Sequence, residues 1–193
     1  MEQVQIPLFP LQTVLFPGGP LPLRIFETRY LDMVRRCLRE DTGFGVVLIR
    51  EGQEAGGPAL TFDTGTYARI VDFSQHPDGL LGIEARGERR FRILERRREP
   101  DGLNVADVEW LPHESEVSLP PEFAEIGPAL AHALDQAGEP FASLERQLDS
   151  AAWVSARLAE VLPLPMVHKQ HCLELDDPLE RLRYLRPLFE ITG

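Results

Sequence analysis

The spacing of apolar and polar residues changes character twice along this chain. As far as residue 22, prolines at 7, 10, 17, 20 and 22 interrupt a largely apolar stretch. Proline has no amide donor, so the stretch is expected to form neither a central strand nor a helix interior, only short extended pieces entering and leaving a sheet at its edge. From Glu27 to Arg39 the apolar spacing becomes three and four. Tyr30, Leu31, Val34, Cys37 and Leu38 then share one face of a predicted helix, with Gly43 as its stop.

Residues 44–111 read as strands. The apolar run 44–49 suits a strand buried on both faces. Residues 67–73 form a second strand, and 79–84 a third after the turn His76-Pro77-Asp78-Gly79. In 89–94, Phe91 and Ile93 alternate with Arg90 and Arg92, and Asp101-Gly102 predicts a hairpin into 103–111. Five or six strands with one helix are most economically closed into a partly closed mixed barrel, which removes exposed edges.

Beyond Pro112 the texture is helical. Residues 114–121 form an acidic, proline-containing connector, followed by predicted helices at 123–137 (ended by Gly138), 141–148, 152–162, 167–175 and 179–189. Asp177-Pro178 supplies a cap and a first-turn proline for the last of these. The fold class is therefore α+β, with a β-rich part at 1–112, a linker at 113–121 and a helical part at 122–193.

Charge divides along the same line. Residues 1–100 balance 14 Arg against 14 Asp+Glu, whereas 101–193 hold 6 Lys+Arg against 17 Asp+Glu, the whole net charge of −11. An acidic half repels phosphates and anionic lipid. No apolar run reaches the 18 or so residues of a membrane span, and Met1 to Pro10 lack the pattern of a signal peptide. Two cysteines, Cys37 and Cys172, make no disulfide framework, so a cytoplasmic protein with buried reduced thiols is expected.

Tests for catalytic chemistry come out negative. Lys169 is the only lysine and no glycine-rich loop precedes it, which excludes a phosphate loop; no three-glycine dinucleotide motif precedes a helix. No serine has the flanking glycines of a nucleophile elbow, and Lys169 sits in a polar stretch rather than an apolar pocket that would depress its pKa. His168, His171 and Cys172 share a helical face but fall short of four zinc ligands, so surface histidines around a buried cysteine are expected. Seven arginines between 86 and 98 interleave with Glu84, Glu88, Glu95 and Glu99, which favours a solvated, ion-paired strand pair over a phosphate-binding stripe. No cofactor or metal is expected.

Two stretches are more specific. Ile6-Pro7-Leu8-Phe9-Pro10-Leu11, Leu15-Phe16-Pro17-Gly18 and Leu21-Pro22-Leu23-Arg24-Ile25-Phe26-Glu27-Thr28-Arg29-Tyr30 closely resemble the N-terminal substrate-binding domain of Lon-type ATP-dependent proteases. Phe44-Gly45-Val46-Val47, Gly65-Thr66 with Ala68 and Ile70, and Gly87 with Arg90-Phe91 match its later motifs in order. Trp153-Val154, Leu158-Ala159-Glu160, Leu162-Pro163-Leu164, Lys169-Gln170 and Arg181-Leu182 continue the match into the helices.

The resemblance implies a PUA-like β-barrel followed by a C-terminal helical bundle, and a module that contacts protein substrates while ATP hydrolysis and cleavage lie in later domains. The expectation is a stand-alone, non-catalytic module for unfolded or hydrophobic polypeptide segments, or an adaptor for a separate ATP-dependent protease. Polypeptide contacts are expected from Phe9, Phe16 and Trp153 at an apolar cleft, and from Arg24 and Arg29, which otherwise join Glu27 in an ionic cluster at the start of the first helix. RNA binding by the barrel is the alternative, opposed by the net charge. Helical apolar residues such as Trp153 are expected to cover barrel surface and join the halves into one cooperative unit.

Overall fold

The computed structural model describes residues 4–55 and 59–192, with side chains as far as Leu188. Met1–Gln3, part of the stretch weighed against a signal peptide, lie outside the described residues. The chain forms two compact units, residues 1–111 and 112–193.

The first unit contains β1 (Val4–Leu11), β2 (Pro20–Ile25), α1 (Thr28–Glu40), β3 (Phe44–Glu51), β4 (Leu60–Thr61), β5 (Thr64–Gln75), β6 (Leu81–Arg98) and β7 (Asn104–Trp110). Neighbouring strands run in the order β1, β7, β6, β5, β3, and a parallel β1–β3 pairing closes the ring. The barrel is therefore closed rather than partly closed. β4 hangs on β3, and β2 pairs with β6 outside the ring.

β1 overturns the expectation that proline keeps the first segment out of a central strand. Its pairing is divided along its length: Val4 to Leu8 face β7 and Leu8 to Leu11 face β3. Pro7 therefore has a partner only on the β7 side and Pro10 only on the β3 side. Each proline keeps an unpaired side on which a missing donor costs nothing.

β6 is a second departure. The two strands expected at 79–84 and 89–94 are one strand of eighteen residues. Register shifts opposite Tyr67/Ala68 and between Ile93 and Glu95 place single extra residues in it, and these bulges break the alternation that would have marked a continuous strand. One bulge turns Leu94 outward, 47% exposed. Arg90, expected at the surface, is buried.

Core packing explains why β1 and β3 are apolar almost throughout. Ile6, Leu8 and Val47 pack with Phe91, Ile93, Ala106 and Val108, while Phe9, Leu11, Phe44 and Val46 pack with α1. Both faces of both strands are thus covered. α1 buries Tyr30, Met33, Val34 and Cys37, and Leu38 points outward. Its stop is Asp41, at φ 52°, rather than Gly43. Gly43 answers a different need, because a Cβ there would stand 2.0 Å from the Ala68 carbonyl oxygen.

In the second unit, a 3-10 turn (Pro121–Phe123) precedes α2 (Ile126–Ala137), α3 (Ala151–Val161), α4 (Met166–Glu174) and α5 (Pro178–Thr192). Gly138 closes α2, Ser150 caps α3 by accepting from the Trp153 amide at 3.3 Å, and Asp177 accepts from Leu179 at the start of α5. Residues 141–148, expected as a helix, are turns. The Arg146 guanidinium donates to the carbonyls of Phe141 and Ala142 there, at 3.0 and 3.4 Å, occupying acceptors a helix would use. α3 packs against α2, α4 and α5 through Val154, Leu158 and small residues at 151, 156 and 159.

Candidate functional site

β2, like the two-residue β4, leaves one edge open. Among the described residues it pairs with β6 alone, Pro20 opposite Arg86 through Ile25 opposite Leu81. Prolines at alternate positions 20 and 22 suit such an edge, since neither has an amide to offer a neighbour. A cavity of about 330 Å³ runs along it, lined by residues 22 to 26 in succession together with Phe9, Leu11, Tyr30, Glu27 and Glu54. Consecutive lining residues are expected where a cavity follows a strand's edge, because a single face would present only every second one.

The cavity wall is apolar and firmly backed. Phe9 stacks on Tyr30 with ring centroids 4.0 Å apart and leans on Phe44. Burial pushes the Tyr30 hydroxyl above its ordinary pKa, opposed by the neighbouring Arg29 guanidinium. Phe26, 62% exposed, stands at the mouth. Glu27 is held by Arg29 at 2.9 Å, and Arg29 also donates to the Gly102 carbonyl at 3.0 Å. The Glu54 carboxylate accepts from the Gln12 amide.

The opposite face of β2 borders a second hollow, of about 440 Å³, in which Leu23, Phe73 and Ile83 join charged and polar residues. Cross-strand rows Pro22–Glu84–Asp72 and Arg24–Gly82–Ser74 form its floor, and His76 overlies Gly82. A Cβ at Gly82 would stand 2.5 Å from His76 Nε2, so only glycine lets the ring lie there. Arg24 is engaged by Asp78. The intervening row, Leu23–Ile83–Phe73, belongs to the apolar face, where Phe73 is 61% exposed.

Of the residues expected to contact polypeptide, Phe9 and Arg24 meet at the apolar cavity, and Arg29 braces its Glu27 wall. Phe16 is wholly buried in the first unit, and Trp153 lies in the second, half-buried under Arg157. The expected ionic cluster of Arg24, Glu27 and Arg29 is reduced to Glu27–Arg29. Leu23, Phe26, Tyr30, Glu54 and Phe73 were not singled out from the sequence. The prolines two apart at 20 and 22, on either side of Leu21, are the signal that points to an edge.

Most of the arginines of β6 are engaged, whereas the buried Nε of Arg86 has no hydrogen-bond partner among the described residues. Arg92 pairs with Glu109 at 3.2 Å, Arg97 with Asp107 at 2.7 Å and Arg96 with Asp63 at 2.6 Å, while Arg89 reaches the Leu111 carbonyl. Their partners come from β7 and the β4–β5 loop, not from the interleaved glutamates. Lys169 departs from expectation: it is half-buried, and burial lowers its pKa. Its ammonium donates to the Glu160 carbonyl at 2.7 Å, while Ser155 is engaged by Ala152 and Arg181. Cys172 is buried with its thiol pushed up to about 11, and burial also raises Cys37. Among the described residues no three of His, Cys, Asp or Glu gather as a metal would need, and no helix is long and apolar enough to cross a membrane.

The class defined by this fold and site is a mixed α+β domain: antiparallel strands closed by one parallel pairing, several helices, and an apolar cavity beside an open strand edge. Comparison with known proteins is more specific. Residues 5–189 match the family model of the ATP-dependent protease La (LON) substrate-binding domain, and the chain belongs to that family. It is 42% identical to a Lon N-terminal domain protein from Xanthomonas campestris whose crystal structure superposes with a TM-score of 0.76, covering 95% of this chain and 98% of that one. Lon protease from Cytophaga hutchinsonii is 26% identical over 96% of this chain and 24% of its own length. Protein cereblon from Xenopus tropicalis is 34% identical over 56% of this chain and 24% of its own. The chain thus spans about a quarter of these two curated relatives.

Proposed function

We propose that this chain is a cytoplasmic, non-catalytic recognition module that binds unfolded or hydrophobic polypeptide segments, alone or as an adaptor for a separate ATP-dependent protease. The observation that carries the reading is the apolar cavity beside the open edge of β2, in a domain of a family described as substrate-binding. A PUA-like barrel serves here as a rigid frame, with β1 and β3 covered on both faces and the apolar wall of Phe9, Leu11 and Tyr30 held in place. Exposed Phe26 and Phe73 supply contact area that folding of the unit does not use. The ion pairs of Arg92, Arg96 and Arg97 and the net charge of −11 weigh against nucleic acid as the partner.

The test is equilibrium binding of a permanently unfolded, carboxymethylated protein to the full chain and to Phe26→Ser and Phe73→Ser. These aromatics are more than half exposed, so both variants should unfold at the wild-type denaturant midpoint while binding about tenfold more weakly. Undiminished binding by the double variant would overturn the assignment to this surface.

A further inference from the structure

The two hollows flanking β2 differ in how their carboxylates are held, and the difference specifies an occupant: in one, Glu27 is paired with Arg29 and Glu54 accepts from the Gln12 backbone amide, whereas in the other Asp72 and Glu84 lie opposite each other. In an extended strand successive side chains point to opposite faces. A chain lying along β2 would send one set of side chains toward the apolar wall of Phe9, Leu11, Ile25 and Tyr30. The alternate set would lie over the hollow that holds Asp72 and Glu84. There Asp72 and Glu84 face each other across β5 and β6, an unfavourable juxtaposition of like charges that a cation would relieve, and Arg24 is engaged by Asp78.

The edge itself has a polarity. In the antiparallel ladder with β6, backbone groups at alternate β2 positions turn inward to β6 and the rest turn outward. Prolines at 20 and 22 belong to the outward set, which presents three carbonyls, of Pro20, Pro22 and Arg24, and one amide, of Arg24. Such an edge accepts hydrogen bonds more than it donates them. It therefore selects a segment that supplies amides, and disfavours proline at the positions that face it.

We propose that the occupant is an extended polypeptide segment in which apolar residues alternate with lysine or arginine, added as a strand to the open edge of β2. The inference rests on the polypeptide-binding reading above and adds to it a mode of binding and a class of sequence. Alternation of this kind is the pattern of a half-buried strand, which becomes available when a client protein unfolds.

Chemically modified peptides provide the test and leave the protein untouched. Fluorescence anisotropy would follow binding of a short peptide alternating leucine and lysine to the full chain, beside a peptide of identical composition with leucines and lysines in separate blocks. N-methylating one alternate set of peptide amides should weaken binding by about tenfold, as expected for lost hydrogen bonds to carbonyls, and N-methylating the other set should not. The blocked peptide should bind more weakly than the alternating one. Asp72→Asn combined with Glu84→Gln should remove the preference for lysine over glutamine at the alternate positions and flatten its salt dependence.

Equal sensitivity to both methylation sets, or insensitivity to both, would overturn strand addition. Unchanged preference in the carboxylate double variant would overturn the basic alternation. If carboxymethylated protein binds and is weakened by Phe26→Ser and Phe73→Ser while the peptides show no such dependence, this mode fails and the polypeptide-binding reading stands. If neither binds, both fail.

Discussion

Replacing Glu114 with alanine should destabilise the second unit severely, although the residue lies in an acidic connector. Arg181 on α5 is wholly buried, and all five of its N–H groups are engaged. Two go to the Glu114 carboxylate, one of them at 3.0 Å; the others reach the Cys172 carbonyl at 2.7 Å, Ser155 Oγ at 3.1 Å and the Leu175 carbonyl at 3.1 Å. Glu114 is itself only 12% exposed. Truncating it removes the acceptors of two buried guanidinium N–H groups and the buried carboxylate paired with them. Breaking a buried pair from one side costs about 3–5 kcal/mol. Glu114→Gln, which keeps one acceptor, should cost less, about 1.5–3 kcal/mol. Urea unfolding followed by far-UV circular dichroism, which weights the helices, would read the loss as a lower midpoint at unchanged slope. The exposed pair Arg186–Glu125, 3.9 Å apart, is the control, and Glu125→Ala should change stability by less than about 1 kcal/mol. A Glu114→Ala variant no less stable than Glu125→Ala would refute the reasoning.

Other consequences are as direct. Gly43→Ala should lower the free energy of unfolding by about 1–3 kcal/mol, read as a lower urea midpoint, because its methyl group would meet the backbone of β5; a neutral result would mean the strands can separate without cost. Ser150→Ala should cost about 0.5–2 kcal/mol through loss of the α3 cap, with Ser150→Asp restoring most of it. Neither cysteine should react with a thiol reagent at pH 8 until urea unfolds the chain, since both are buried and both thiols are held neutral. Cys172 also carries a pH dependence. Its thiol has a pKa of about 11 folded against 9.0 unfolded, so between those values the folded state binds the extra proton. Stability from this group is complete below pH 9.0 and lost as pH rises toward about 11, and Cys172→Ala should flatten that fall in a pH series of unfolding midpoints.

Much of the secondary structure was legible in short windows. Tyr30, Val34 and Cys37 mark the buried face of α1; Asp101-Gly102 turns between β6 and β7; Gly138 ends α2 and Asp177-Pro178 opens α5. The errors are also informative. Leu38 has the spacing of a core residue but lies on the open flank of α1. Residues 141–148 have helical composition, yet Arg146 takes their carbonyls. The bulges in β6 split one strand into two apparent ones. The candidate site was less legible. Phe9 and Arg24 come together there, but Glu54 reaches it from the loop after β3, and Phe73 lines the neighbouring hollow from β5.

What the sequence determined by itself was whatever depends on neighbours within a turn or a strand: periodicity, caps, turn chemistry, the division of charge between the halves, and the ordered motifs that place the chain in its family. What only the tertiary structure decided depends on partners far along the chain. The 67 positions separating Glu114 from Arg181 hide a buried ion pair behind what reads as a solvated linker. The sharing of β1 between β7 and β3 makes proline tolerable in a closed barrel. The open edge of β2 follows from its pairing with β6 alone, outside the ring of strands. Burial and pairing are properties of the closed fold, and a side chain's local pattern does not record which distant atom will meet it.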